Sequence, residues 1–347
     1  MVERYTLLVG SDHPETLDCR YNAAECRGEA GDAAGAAAAF EDLAQDQTRI
    51  LGPDHQDTLL SRHAHANWLG HAGEAAGAAA LLADLAREQA RALGPLHPDT
   101  LASRHNAADW LGHAGDAAGA ALGLAELLPL QEEVRGKDDP DTLMTRSKLA
   151  EWLGHAGDAA SAAATYTDLV RDQSRVLGAR HPDTLLSRYF LADWLGHAGD
   201  AAGAAAGLAE LLPLEEEVRG KDDPDTLMTR SKLAEWLGHA GDAASAAAAF
   251  ADLAWDQSRV FGTNHPDTLA SRHNAADWLG HAGNAAEAAT ALMDVVEDRK
   301  RVLGPDHSDT VASRTRLGHW FAEAGYAAVE ALRALSKNPL TKLPETR

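Results

Sequence analysis

The 347-residue sequence has only two cysteines, few aromatic residues and no long apolar run. Cys19 and Cys26 lie seven positions apart on one predicted helix, about two turns from each other, which is too far for a disulfide. Residues 1–10 lack the basic segment and apolar run of a secretory signal, and no stretch is long and apolar enough to span a membrane. These absences predict a cytoplasmic protein, or part of one, without a membrane partner.

Positive charge is also scarce. The chain has 31 lysines and arginines against 53 aspartates and glutamates, a formal net charge of −22. Such a chain repels phosphate backbones, so nucleic acid is not an expected partner. Most of this charge is expected on solvated helix surfaces.

Catalytic motifs and strand patterns are missing as well. The sequence contains no Gly-x-Ser-x-Gly, no Walker-type loop, no His-Glu-x-x-His and no Cys-x-x-Cys. Sustained alternation of β-branched residues is absent too. The sequence therefore predicts an all-α protein that is not an enzyme and uses no cofactor.

The main feature of the sequence is a repeated segment. A threonine that follows Pro-Asp or a related pair recurs every 42 residues, and a fixed period of this length indicates stacked structural units. In the third unit, Pro98 and Asp99 suit the first turn of a helix A, Gly115 suits its end, and Asp116 can cap a helix B. Each unit is thus predicted to be a helical hairpin. The threonines are Thr16, Thr58, Thr100, Thr142, Thr184, Thr226, Thr268 and Thr310.

These units set the predicted domain boundaries. Residues 1–12 align with the end of a later helix B, which suggests the remnant of a preceding repeat. Residues 13–337 form eight repeats, the last with a helix B from about Tyr326 to Ser336, and residues 338–347 form a C-terminal tail. The repeats start near His13, His55, His97, Asp139, His181, Asp223, His265 and His307.

A two-repeat block is duplicated along the chain. Residues 116–175 and 200–259 are nearly identical and lie 84 positions apart. Pro129 and Pro213 fall inside the predicted helix B of this block, where proline ends or bends a helix.

The residues of the third unit resemble a known family. Asn106-Ala107-Ala108, Leu111, Gly115 and Ala120 match the pattern of tetratricopeptide repeats, in the 42-residue variety of kinesin light chains and many bacterial signalling proteins. The resemblance covers residues 13–337 and implies a right-handed superhelical solenoid of about eight antiparallel hairpins. It has two departures: alanines such as Ala117 replace the second aromatic residue of the family, and a tryptophan stands one place before the first. We expect these tryptophans to fill the space that the alanines leave. They are Trp68, Trp110, Trp152, Trp194, Trp236, Trp278 and Trp320.

The resemblance also implies a binding groove, because helix A lines the concave face in this family. Two columns of side chains would line it, mostly polar and acidic and suited to a basic or mixed-charge extended peptide. The alternative is that these residues are only a solvated helix face. The columns are Tyr21, His63, His105, Ser147, Tyr189, Ser231 and His273, and Glu25, Asn67, Asp109, Glu151, Asp193, Glu235 and Asp277.

Histidines and arginines recur in register. Equivalent positions in stacked helices lie about 8–10 Å apart, too far for neighbouring histidines to share a metal ion, so no metal site is predicted and the histidines are expected at caps and turns. The guanidinium groups of the arginines could bind anions along a groove with two parallel hydrogen bonds each. Alternatively, they could pair with the aspartate of Pro-Asp-Thr or with loop carbonyls. The repeated aspartate favours the second, structural ladder. Its members include Arg62, Arg104, Arg146, Arg188, Arg230 and Arg272.

The sequence therefore predicts a non-enzymatic scaffold that binds a peptide or protein on the helix-A face. Arrays of this style also resemble the sensor regions of bacterial STAND-class signalling proteins, which implies a role in signalling. The alternative is a self-assembling array that stacks end to end through an apolar N-terminal segment, Tyr5, Leu7, Leu8 and Val9.

Overall fold

A computed structural model describes the backbone of residues 7–337 and the side chains of residues 7–325. Within this range the chain is helical, with short loops and no strand, which confirms the predicted all-α fold. Residues 7–9 are helical and are followed by fifteen helices. These are α1 (Pro14–Glu29), α2 (Ala33–Leu51), α3 (Gln56–His71), α4 (Ala75–Ala92), α5 (Pro98–His113), α6 (Ala117–Arg135), α7 (Pro140–His155), α8 (Ala159–Val176), α9 (Pro182–His197), α10 (Ala201–Val218), α11 (Pro224–His239), α12 (Ala243–Val260), α13 (Pro266–His281), α14 (Ala285–Val302) and α15 (Ser308–Lys337).

Odd-numbered helices are the helix A of a repeat, and each begins at a capped loop. In the third repeat, the His97 Nδ1 atom accepts a hydrogen bond from the Asp99 N–H at 3.2 Å, and Pro98 follows in the first turn. The fully buried Thr100 hydroxyl donates to the carbonyl of Gly94 at 2.9 Å, which closes the loop from the previous repeat. The recurring His-Pro-Asp-Thr is thus a helix start.

The turn between helix A and helix B is also defined by local residues. Gly115 has a φ of 101°, a conformation that other residues rarely adopt, and it ends α5. The Asp116 side chain then accepts a hydrogen bond from the Gly119 N–H at 2.8 Å and caps α6. Both α6 and α10 continue through their internal prolines, Pro129 and Pro213, so neither proline ends its helix.

The chain divides into two compact units, Met1–Ala179 and Arg180–Arg347. Within each unit, a helix A packs against its own helix B and against the helix B before it. The third repeat shows how the core is built: Leu101 comes from helix A, while Leu124, Leu127 and small alanines come from helix B.

The tryptophans link successive repeats. The Trp110 ring lies over Gly70 of the preceding helix A, so close that an added Cβ there would come within 2.5 Å of it. Trp110 packs with the core of that preceding repeat, around Leu59 and Leu82. The ring therefore fills space between repeats. Equivalent tryptophans share a core with the alanines named above, as Trp152 does with Ala117 of the preceding repeat. The same contact joins Trp68 to Gly28, Trp152 to Gly112, Trp236 to Gly196, Trp278 to Gly238 and Trp320 to Gly280.

The eighth repeat differs from the predicted hairpin. Helix α15 is continuous over 30 residues, with no turn before Tyr326. The difference is local, because Gly325 keeps a helical conformation, whereas the equivalent glycines of the other repeats have a positive φ. Residues 338–347 and Tyr5 lie outside the described residues. Cys19 and Cys26 are free thiols, as predicted.

Candidate functional site

The helix-A face of the first unit carries an open groove of about 560 Å³, formed mainly by α1, α3 and α5. It brings together five of the predicted site residues: Tyr21, Glu25, His63, Asn67 and Asp109. Six further polar or aromatic side chains line it that were not predicted as site residues. They are Trp68, His71, Asn106, Trp110, His113 and Lys148.

A hydrogen-bond network at the centre of this groove fixes the orientation of two amides. The Trp110 indole N–H can only donate, and it lies 3.0 Å from Asn67, so the Asn67 atom that faces it is the oxygen. The same oxygen lies 3.3 Å from Asn106, which must therefore present its NH₂ group. Two amide atoms remain open to the groove, the Asn67 Nδ2 donor and the Asn106 Oδ1 acceptor, and neither has a hydrogen bond to the described residues.

The network extends to a neutral histidine. The Asn106 NH₂ group also donates to His63 Nε2 at 3.0 Å, so that nitrogen carries no proton, and His63 Nδ1 donates to the Ser103 hydroxyl at 3.0 Å. Burial lowers the pKa of His63 in agreement with this neutral form.

Two more predicted histidines form the same contact with the next repeat. His105 bonds to Thr145 at 2.8 Å and His273 to Ser313 at 3.1 Å. Burial lowers the pKa of both, that of His273 to about 4. The histidines of the first column therefore join neighbouring helices, and only His63 also lines the groove.

The carboxylates of the second column are engaged within the chain. Asp109 accepts a hydrogen bond from Trp152 Nε1 at 2.8 Å and lies 3.4 Å from Lys148 Nζ, which also contacts Glu151 at 3.1 Å. Burial would lower the pKa of Lys148, but these two carboxylates outweigh it and raise the pKa. The groove is consequently less acidic than the sequence pattern suggested.

Glu25 and Tyr21 occupy one end of the groove. Glu25 accepts a hydrogen bond from Trp68 Nε1 at 3.3 Å. Tyr21 packs edge-on against Phe40, with 4.9 Å between ring centroids. Ser147 lies on α7 outside the groove, and its carbonyl accepts a bond from the Tyr166 hydroxyl at 3.3 Å.

The second unit repeats the ionic pattern without the amide network. Asp193 binds Trp236 and Lys232, Asp277 binds Trp320 and Arg316, and Glu235 contacts Lys232. Tyr189 is 7% exposed and belongs to the hydrophobic core, where burial raises its pKa. Ser231 lines a separate cleft of about 400 Å³ beside Phe261.

The histidines at the start and end of each helix A lie at caps and turns, as predicted, whereas His65 and His319 lie within helices. His71 packs edge-on against Trp110, at 5.0 Å between ring centroids, and equivalent contacts recur along the repeats. Among the described residues, no three histidine, cysteine or acidic side chains are placed to hold a metal ion.

Five arginines of the ladder pair with a carboxylate of helix B, so the predicted pairing with the aspartate of Pro-Asp-Thr is wrong. Arg272 binds Asp298 of its own helix B at 2.7 Å, not the aspartate of Pro-Asp-Thr. Because the two helices of a hairpin are antiparallel, the ladder arginine of helix A lies beside the helix-B residue that follows it by 26 positions. The same pairing occurs for Arg20 and Asp46, Arg62 and Glu88, Arg146 and Asp172, and Arg230 and Asp256. Arg104 and Arg188 have Leu130 and Leu214 at that position instead.

One signal in the sequence could have identified the missed site residues. Asp109 and Lys148 are 39 positions apart, as are Asp193 and Lys232, Asp277 and Arg316, and Asn67 and Asn106. This constant spacing joins side chains that meet across neighbouring A helices.

Comparisons with known proteins support the fold. Residues 268–309, one full period, match the family model of the tetratricopeptide repeat. A kinesin light chain of Podosopora anserina with nearly identical TPR-like repeats is 23% identical, covering 59% of this chain and 97% of that chain with a TM-score of 0.55. BtubC (BKLC) from P. vanneervenii is 18% identical, covering 71% of this chain and 92% of that chain with a TM-score of 0.53. The apo form of RapI is 10% identical, covering 82% of this chain and 98% of that chain with a TM-score of 0.56. No curated protein matches the sequence.

These findings confirm the resemblance to tetratricopeptide repeats of the kinesin-light-chain type. Proteins with this repeat fold are generally non-enzymatic scaffolds for protein–protein interaction. Within the part of the chain that the structure describes, no helix is long and apolar enough to cross a membrane.

Proposed function

We propose that this chain is a non-enzymatic interaction scaffold and that the helix-A groove of its first unit binds an extended peptide segment of a partner protein. The open amide pair of Asn67 and Asn106 carries the proposal. A peptide group offers one C=O and one N–H, and the Asn67 Nδ2 donor and the Asn106 Oδ1 acceptor complement these two groups.

The surroundings of the amide pair indicate the kind of peptide. The exposed His71 and His113 rings, with Trp68 and Trp110 beneath them, offer flat surfaces for apolar or aromatic side chains. Glu25 and the Asp109–Lys148 pair add charges of both signs. A basic or mixed-charge segment fits this lining, and the finer role that we propose is recognition within a cytoplasmic signalling assembly.

Selection from a library of displayed random peptides on the immobilised chain tests the proposal. We expect enriched peptides whose affinity falls about 3–10-fold in Asn106→Ala, since one neutral hydrogen bond contributes about 0.5–1.5 kcal/mol. Asn67→Asp keeps the acceptor for Trp110 but removes the donor, and we expect a similar loss.

A matched control lies in the second unit. Asn274 is equivalent to Asn106, but Glu235 replaces Asn67 beside it, so Asn274→Ala should leave the selected peptides bound. The proposal fails if no peptide is enriched above an unrelated helical protein, or if both groove variants bind as the wild type does.

A second candidate function, end-to-end self-assembly, is favoured by the exposure of Leu7 (88%) and Leu8 (70%). Sedimentation velocity over a concentration series would show growing assemblies that Leu8→Lys abolishes. A constant monomer mass would reject this function.

A further inference from the structure

A second groove in the first unit shares none of its lining residues with the helix-A groove. It lies between α4 and α6, with α5 as its floor, and has a volume of about 680 Å³. Its lining is mostly alanine and glycine, including Ala79, Ala83, Ala107 and Gly123. A concave, apolar surface of this size with few polar groups is typical of a small-molecule site.

The notable polar group in the lining is Arg104. In five other repeats the equivalent guanidinium binds a carboxylate of its own helix B, at 2.5–2.8 Å. In this repeat Leu130 stands at the position of that carboxylate. Ala90 stands where the next repeat has Glu132, a second carboxylate that binds Arg146. Arg104 therefore has no ion-pair partner among the described residues.

The second unit contains the same groove with its carboxylate in place. It lies between α12, α13 and α14, 168 positions further along the chain, and has a volume of about 910 Å³. Both Arg272 and Asp298 line it, joined at 2.7 Å. This groove shows where a carboxylate sits when the chain supplies one.

We propose that the groove between α4, α5 and α6 binds an aliphatic monocarboxylate. The alkyl chain lies along the alanines of α4, and the carboxylate binds the Arg104 guanidinium at the place that Asp298 occupies in the second unit. The alanines from Ala76 to Ala90 extend over about 21 Å of helix, which accommodates a medium-length chain. Of the other charged groups, Arg87 is paired with Asp84, and Glu126 at the rim disfavours a second negative charge on the ligand.

Isothermal titration calorimetry with decanoate on the full chain tests this inference, with decan-1-ol and decyltrimethylammonium as probes of equal chain length. We expect saturable binding that prefers decanoate. Arg104→Gln should weaken binding about 10-fold or more, because it removes a charge-assisted hydrogen bond. Arg62→Gln, on a ladder arginine outside the groove, is the control and should bind decanoate normally.

Two reciprocal substitutions sharpen the test. Leu130→Asp supplies an internal carboxylate to Arg104 and should abolish decanoate binding. Asp298→Leu frees Arg272 and should raise the stoichiometry by one site. Circular dichroism checks that each variant folds, and Asp298→Asn replaces the leucine variant if that one does not.

The inference is overturned if decanoate does not bind, if decan-1-ol binds equally well, or if Arg104→Gln and Leu130→Asp both leave binding unchanged. Asn106→Ala should have no effect on decanoate, which separates this site from the peptide groove.

Discussion

A single buried carboxyl group should make the second unit sensitive to pH. Glu215 is 3% exposed, and its Oε2 atom has no hydrogen-bond partner among the described residues. The equivalent residue is glutamine in five repeats, including Gln131 of the duplicated block, which is also 3% exposed. Burial raises the pKa of Glu215, and the Thr229 side chain and the charge of Arg219 only partly oppose this.

The direction of the effect follows from this raised pKa. In the unfolded chain a glutamate ionises near pH 4.3. The folded state prefers the protonated form, so its full stability is present below that pH and is lost as the pH rises through the folded-state pKa. Above it, an ionised and incompletely paired carboxylate should destabilise the fold by about 1–3 kcal/mol.

Glu215→Gln removes the charge with almost no change of shape. We expect the free energy of unfolding of the second unit to rise by about 1–3 kcal/mol at pH 8, and the gain to vanish near pH 4. Gln131→Glu places the same charge in the matching site of the first unit and should lower its stability at pH 8 by a similar amount.

Urea denaturation at several pH values, with hydrogen exchange of α10 and α6 to assign the change to a unit, measures both variants. The reasoning is refuted if the gain from Glu215→Gln is the same at pH 4 and pH 8, or if the variant is less stable at pH 8.

Three further predictions concern contacts between helices. Gly70→Ala should lower the free energy of unfolding, measured by urea denaturation, by about 2 kcal/mol, because the new Cβ would lie 2.5 Å from the Trp110 ring. Gly318→Ala, with nothing within 4 Å of the new Cβ, is the control and should be neutral or stabilising. Equal effects of the two substitutions would contradict this prediction. Arg146→Ala should lower the free energy of unfolding by about 3 kcal/mol, because Asp172 is 9% exposed and loses its partner at 2.7 Å. Arg104→Ala, which breaks no ion pair, should lower it by less than about 1 kcal/mol. A similarly small loss in Arg146→Ala would show that the buried ion pair does not stabilise the fold. Burial and the charge of Arg299 lower the pKa of His273 to about 4, so its ring should stay neutral in NMR spectra at pH 5.5. The stability that this ring contributes should be lost as the pH falls from about 6.5 through 4. A titration midpoint near 6.5 would disprove the hydrogen bond of the neutral ring to Ser313.

The helix boundaries could be predicted from sequence because their signals are local. His97 and Asp116 cap helices within three residues of themselves, and Gly115 ends one through its own φ. In the last repeat Gly325 stays helical, and there the predicted hairpin is replaced by one continuous helix.

The partners of the candidate site residues depend on longer-range geometry. Pairing Arg272 with Asp298 requires the register of two antiparallel helices, and pairing Asp109 with Lys148 requires the offset between neighbouring A helices. Neither quantity follows from helix propensity, and the 39-residue spacing of Asp109 and Lys148 indicates a contact only once the A helices are known to be neighbours. The sequence pattern placed Asn67 and Asp109 on helix A, and both line its groove, but the pattern did not show that Asp109 is paired with Lys148 or that Trp110 orients the Asn67 amide.

The contact of six tryptophans with a glycine of the preceding helix A has an evolutionary consequence. Because the ring and the glycine beneath it are the same at these six joints, a repeat can be inserted or deleted there without creating a mismatched surface. The pairs of an aspartate with a lysine or arginine recur only at every second joint, as in Asp109–Lys148 and Asp193–Lys232. Unequal recombination should therefore be tolerated best in cassettes of 84 residues, the offset that separates the near-identical segments 116–175 and 200–259.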